Sequence, residues 1–226
     1  MFDLISEYDD RLLDAFWVTI QLTLYSAFWA LILGTLVAAM RVSPVPVARW
    51  LGTAYVTVFR NTPLTLIIVF CSLGLYSTLG LKLAPEGPTD IADNNFRWAI
   101  VGLSIYTAAF VCESLRSGIN TVQLGQSEAG RSLGLTFTQN LRLIVLPQAF
   151  RAVIAPLGSV FIALTKNSTI AAAIGVGEAA LLMAEMTENE AALLSIGAIF
   201  ALGFVVLTLP TGLFFGWLAK RYEVAR

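Results

Sequence analysis

Residues 125–148 read GQSEAGRSLGLTFTQNLRLIVLPQ, a polar and basic stretch lodged between long apolar blocks. The chain on either side is suited to a lipid phase, and this stretch is not. Working outward from it, five apolar blocks cover residues 16–40, 55–79, 96–113, 152–176 and 191–218. A helix needs roughly 20 mostly apolar residues to cross a bilayer. Of the 226 residues, 57% are apolar and only 13% charged, against about a quarter charged in an ordinary soluble domain. The expected fold is an all-α integral membrane domain of five transmembrane helices occupying the whole chain, 1–226. The polar segment joins spans three and four and is too short to be a domain of its own.

The net charge of −1 conceals a strong asymmetry. With the N-terminus outside, the inner segments hold Arg41, Arg49, Arg60, Arg116, Arg131, Arg142, Arg151, Lys220, Arg221 and Arg226. The outer segments hold Arg11, Lys82 and Arg97, and Lys166 falls inside a span. Ten inner basic residues against three select this orientation, with the C-terminus cytoplasmic. Acidic residues from Asp3 to Asp14 and from Glu178 to Glu190 fall on the outer side. The acidic start differs from the basic start of a secretory signal, so the first span is expected to be retained. Cys71 and Cys112 fall in or near spans and read as apolar fillers rather than a disulfide.

The chain contains no histidine. A His-ligated zinc site and a Ser-His-Asp triad are therefore excluded. No pair of span-embedded aspartates supports intramembrane proteolysis. There is no G-x-x-x-x-G-K-[ST] loop, so nucleotide binding of the P-loop kind is excluded too. No metal site is expected, and nothing suggests nucleic acid as a partner.

Within the polar segment, Ser127 is expected to N-cap a helix over residues 128–133, with Glu128 in its first turn. Gly134 supplies the stop. A second short helix starts at Thr136 or Thr138 and ends near Pro147. Leu133, Leu135, Phe137, Leu141, Ile144 and Leu146 form one greasy surface. Upstream, a straight helix from Trp50 to Leu79 would be about 45 Å long, longer than a hydrocarbon core of roughly 30 Å. Either its first part lies along the inner interface, or it breaks near Arg60-Asn61-Thr62-Pro63. In the second case Thr62 is a candidate N-cap with Pro63 at the first helical position. Gly80–Asn95 reads as an exposed turn region, and Pro156 is expected to bend span four.

Glu128-Ala129-Gly130, Gly134, Ile144, Leu146 and Pro147 fit the signature EAA-x3-G-x9-I-x-L-P, with Gly130 in place of its third-position Ala. That signature belongs to the membrane subunits of binding-protein-dependent ABC importers. More of the chain resembles their polar amino acid permease branch. FRNTPL at 59–64 resembles FRGTPL, ESLRSGI at 113–119 resembles E-x-x-R-G-G-I, and LPQAFR at 146–151 resembles LPQA-x-R. LTKNSTIAAAIGV at 164–176 is similar to L-K-(N/D)-(S/T)-S-L…IGV. The resemblance spans nearly the whole chain and is strongest to the glutamate-uptake permeases of actinobacteria.

The resemblance implies a type I importer of the bacterial cell membrane. A second permease subunit, identical or paralogous, completes the pathway, two cytoplasmic ATPase subunits bind below, and an extracellular solute-binding protein delivers an amino acid from above. This chain would bind no cofactor, with ATP and magnesium held by the ATPase. The element from Ser127 to Pro147, including Glu128, Ala129, Gly130, Gly134, Ile144 and Leu146, would be the coupling helix.

A charge within a span is costly and faces a cavity or a partner. Lys166 lies roughly 20 Å up from Arg151 at the inner edge, beside Asn167, Ser168 and Thr169. Ser168 can cap a half-helix over residues 169–174, as in broken transporter helices aimed at anions. On the functional reading Lys166, Asn167, Ser168 and Thr169 contact substrate, Arg60, Asn61 and Thr62 recognise its carboxylates, and Glu113 meets its amino group. On the structural reading Lys166 pairs with Glu113 or an outer-loop acid, Glu113 pairs with Arg116 at i, i+3, and Arg60 anchors the inner edge. Two cations against one acid favour an acidic amino acid, glutamate or aspartate, over glutamine. A passive channel and a membrane enzyme are the competing classes.

Overall fold

In lipid a backbone amide has no water to turn to, so each apolar block must satisfy its own hydrogen bonds by coiling into helix. The structure, a computed structural model, describes residues 2–222, and side chains from residue 4 onward. Arg226 and the side chain of Asp3, both counted in the charge asymmetry, lie outside the described residues. The described residues are almost entirely helical and contain no strand.

A short lead-in, α1 (Phe2–Glu7), precedes α2 (Asp9–Val42). Next come α3 (Pro46–Asn61) and α4 (Leu64–Val69), the latter continuing as a π-helix over Phe70–Thr78. The long α5 (Asp90–Asn120) leads into α6 (Leu124–Ser132) and α7 (Phe137–Asn140). A π-helical turn, Leu141–Val145, joins α7 to α8 (Leu146–Asn167), which tightens into a 3-10 segment, Ser168–Ile174. A short α9 (Ala179–Asn189) and the long α10 (Leu193–Tyr222) follow.

Four helical runs are each long and apolar enough to cross a membrane: Asp9–Val42, Asp90–Asn120, Phe137–Ile174 and Leu193–Tyr222. The candidate fifth is a bent pair, Pro46–Asn61 and Leu64–Thr78, turned by 102°, long and apolar enough when taken together. The break expected at residues 60–63 is therefore present, and it is sharp. Its local chemistry differs from expectation. Thr62 is not an N-cap, since it closes the C-terminal end of α3 with its hydroxyl donating to Val58 O at 2.8 Å. Pro63 precedes α4 instead of opening it. The residue before a proline is driven out of the helical region. Thr62 (ψ 132°) and Pro63 (ψ 132°) are both extended, and two extended residues in succession turn the chain.

The core is organised around α5, whose most apolar stretch is 61% buried, against 17% for α10. Ala99, Leu103, Ala108, Ala109, Val111 and Cys112 are all at 0% exposure. Leu22 of α2, Ile68 of α4 and Leu164 of α8 close on α5 in one central cluster. A second cluster joins Leu12, Leu182, Met186, Ile196 and Phe200. Cys71 and Cys112 are free and buried. The approach of α2 to α5 depends on Gly34. A β-carbon there would lie 2.6 Å from Val111 Cβ and 2.9 Å from Ala108 O. Gly34→Leu is expected to separate this pair, destabilising the subunit by about 3 kcal/mol or more through overpacking. The check is the yield and melting temperature of the purified protein.

Candidate functional site

Between spans three and four the chain turns twice, and backbone hydrogen bonds mark both turns. Helix α6 begins at Leu124, so Ser127 lies inside it and does not cap it. Extended Gln123 is the boundary residue, its carbonyl accepting from Gln126 N at 3.0 Å. Gly134 stops the helix as expected, at φ +83°. Leu135 N–H returns to Gly130 O and Gly134 N–H to Arg131 O, the paired bonds of a Schellman end. Thr136 then caps α7 in a reciprocal box with Gln139.

The second helix does not end near Pro147. It continues into α8 as one run, Phe137–Ile174. Proline lacks an amide hydrogen and crowds the preceding turn. A π-turn just before it takes up the mismatch, with Leu146 N–H reaching back to Leu141 O. Nor is the apolar surface all outward. Leu133 and Leu124 are 84% and 80% exposed, and Phe137 is exposed too. Glu128, Ala129, Gly134, Leu146 and Pro147 are also exposed, whereas Gly130 is buried and Ile144 folds over it.

Deeper along the bundle, α5 and α8 enclose a cleft of about 310 Å³ lined by Tyr106, Thr107, Phe110, Ser159 and Asn167 among others. Arg60, at the end of α3, sets its guanidinium over the Phe110 ring at 5.9 Å from the centroid. One turn along α5, Glu113 accepts from Arg41 of α2 and lies 3.9 Å from Arg60 Nη1. The Arg41 side chain is 9% exposed and that of Arg60 53%. Glu113 thus bridges two arginines from different spans. It pairs with neither Arg116 nor Lys166.

The four polar residues of span four divide. Asn167 faces the cleft, and Lys166 is exposed and makes no ion pair among the described residues. Ser168 is fully buried and donates to Thr165 O at 2.7 Å, and Thr169 donates to Lys166 O at 2.7 Å. Ser168 caps nothing, because the helix passes from α8 into the 3-10 segment without a break. Asn61 and Thr62 likewise turn back, onto Thr57 O and Val58 O. The structure therefore places Asn167 in the cleft, sets Arg60 against Phe110 of the cleft wall with Glu113 beside Arg60, leaves Lys166 exposed, and engages Ser168, Thr169, Asn61 and Thr62 locally. Sequence reasoning missed Arg41 and the aromatic wall of Tyr106 and Phe110. The one available signal for Arg41 was its matching depth to Glu113, both lying near the inner ends of their spans.

At the opposite end of the bundle, Glu178 is fully buried at the start of α9. Burial pushes its carboxyl up to about 7, opposed by hydrogen bonds from Ala180 N and Leu181 N. A raised acid favours folding when protonated. Its contribution is whole below the unfolded value of about 4.3 and is lost as pH rises through about 7. Melting temperatures measured from pH 4.5 to 7.5 should therefore show a decline in the parent that Glu178→Gln flattens. The effect at stake is on the order of 3 kcal/mol.

The sequence pattern of the binding-protein-dependent transport system inner membrane components matches residues 30–224. The glutamate transport system permease protein GluC of Corynebacterium efficiens is 58% identical, with all of both chains covered. The probable glutamine ABC transporter permease protein GlnM of Bacillus subtilis is 37% identical over 99% of this chain and 96% of its own length. Among solved structures, a chain of an amino acid ABC transporter with histidines superposes with a TM-score of 0.85 at 25% identity, covering 98% of each. A sharply bent helix pair, a helical segment between the third and fourth apolar blocks, and a sequence match over most of the chain lead to one assignment: this protein belongs to the binding-protein-dependent transport system inner membrane components.

Proposed function

We propose that this chain is the permease subunit of an ATP-driven importer for polar amino acids, with L-glutamate as its substrate. The observation that carries the substrate is full-length identity of 58% to a glutamate permease. The charge pattern supports a cytoplasmic docking segment with the N-terminus outside. The chain works beside a second permease subunit, above a dimer of cytoplasmic ATPases that hold ATP and magnesium, and below an extracellular binding protein.

The α5–α8 cleft is the section of pathway that this subunit contributes. Arg60 and Lys166 draw the carboxylates of an acidic amino acid, and Tyr106, Phe110, Ser159 and Asn167 line its way. Asn61 and Thr62 shape the bend between α3 and α4, and Ser168 and Thr169 the passage from α8 into the 3-10 segment, the two features that border the route. Glu113 holds Arg60 toward the cleft and remains the acid nearest a substrate ammonium. The exposed Glu128, Ala129 and Leu133 enter a groove of the ATPase, with Ser127, Gly130, Gly134, Ile144, Leu146 and Pro147 setting the shape of that surface.

The test is reconstitution of the complex in vesicles with its binding protein, measuring uptake of labelled glutamate and of competing aspartate and glutamine. ATP-dependent accumulation of glutamate is expected. Removal of residues 128–133 should abolish uptake and ATPase stimulation. Conduction persisting after that deletion, without ATP, would instead mark a passive channel.

A further inference from the structure

The docking segment contains a clasp that the family signature does not describe. Asn140, at the end of α7, is 5% exposed. Its amide nitrogen donates to Ser127 O at 3.0 Å and to Ser127 Oγ at 2.8 Å, back across the Gly134 turn to α6. Its amide oxygen is buried and has no hydrogen-bond partner. That oxygen sits where a side chain at residue 130 would be: a β-carbon on Gly130 would lie 2.7 Å from Asn140 Oδ1 and 2.6 Å from Ile144 Cδ1. The signature carries alanine at this position. The two contacts differ in kind. Ile144 Cδ1 is the end of a flexible side chain and can swing away, whereas the Asn140 amide is held by two hydrogen bonds.

We propose that Asn140 is a positioning residue for energy coupling, and that Gly130 is present because Asn140 occupies the space of its side chain. The clasp makes α6 and α7 one body. Because α7 continues without a break to Ile174, that body includes Asn167 at the cleft. Residues 146–166 alone span about 30 Å of helix. A displacement of α6 by the ATPase is thereby delivered to the cleft as motion of a single lever, not absorbed at the flexible glycine turn. The inference rests on the importer reading given above.

The test uses the reconstituted complex and four variants. Asn140→Ala should leave ATPase co-purification and the KM for substrate near those of the parent, yet reduce transport per ATP hydrolysed about fivefold, the effect expected when two hydrogen bonds that align the segment are lost. Gly130→Ala, which restores the signature, should give the same uncoupling. The double variant Gly130→Ala with Asn140→Ala should recover coupling beyond either single change, because the new methyl fills the space the amide vacates. Glu128→Arg is the control for the docking reading itself and should release the ATPase. Normal transport per ATP in Asn140→Ala, or purely additive losses in the double variant, would overturn the clasp while leaving docking intact. Unchanged ATPase binding and stimulation in Glu128→Arg would overturn the docking reading on which it rests.

Discussion

Glu113→Ala should be the most damaging single substitution in the subunit, costing about 3–5 kcal/mol. The Arg41 side chain is 9% exposed and its ionic partner is Glu113. Removing the carboxylate leaves a mostly covered guanidinium among α2, α3 and α5 without its ionic partner. Arginine does not escape by losing its proton, since the guanidinium stays charged in proteins. The expected result is loss of purified protein, or a melting temperature lower by about 10 °C or more. Arg41→Met combined with Glu113→Leu should recover much of the loss, since an apolar replacement of a buried pair is often neutral. A stable Glu113→Ala subunit with normal uptake would show that water reaches Arg41.

Lys166→Ala should act in the opposite manner, leaving the fold alone and stopping the traffic. Its ammonium is exposed on the subunit and unpaired among the described residues, so its removal orphans no internal charge. If it receives a substrate carboxylate in a low-dielectric passage, truncation should lower the uptake efficiency for glutamate about 100-fold. Lys166→Arg keeps the charge and should retain most uptake. Melting temperature should stay within about 2 °C of the parent, as for a surface change. Equal glutamate uptake by Lys166→Ala and the parent would remove Lys166 from the pathway.

These two residues also mark how far the sequence could be read. The spans were legible because lipid as a solvent permits one solution to the backbone hydrogen-bonding problem, and a run of apolar residues announces it. Gly134 and Thr136 were legible because turn chemistry is local: one needs a positive φ, the other a hydroxyl three residues before Gln139. The site was less legible because its geometry is tertiary. Nothing near Glu113 in sequence points to Arg41, 72 residues earlier. Ser127 resembled a cap in isolation, yet the chain leaving α5 had already begun coiling at Leu124. Ser168 and Thr62 resembled helix starts, yet each bonds back to a carbonyl of the preceding turn, Ser168 within an unbroken helical run and Thr62 at the end of α3. A hydroxyl beside a helix end fits either role, and only the course of the chain beyond it decides.

The sharp bend between α3 and α4 has a consequence for how this subunit tolerates a dry environment. The end of a helix leaves carbonyl oxygens without donors, normally a demand for water. Here the chain brings its own substitutes for water: Asn61 Nδ2 donates to Thr57 O at 2.7 Å and Thr62 Oγ1 to Val58 O at 2.8 Å. The branch pattern FRGTPL has glycine where this chain has Asn61 and offers one donor fewer. The corner therefore carries part of its own solvation, with the Thr62 hydroxyl and the Asn61 amide standing where water would otherwise donate.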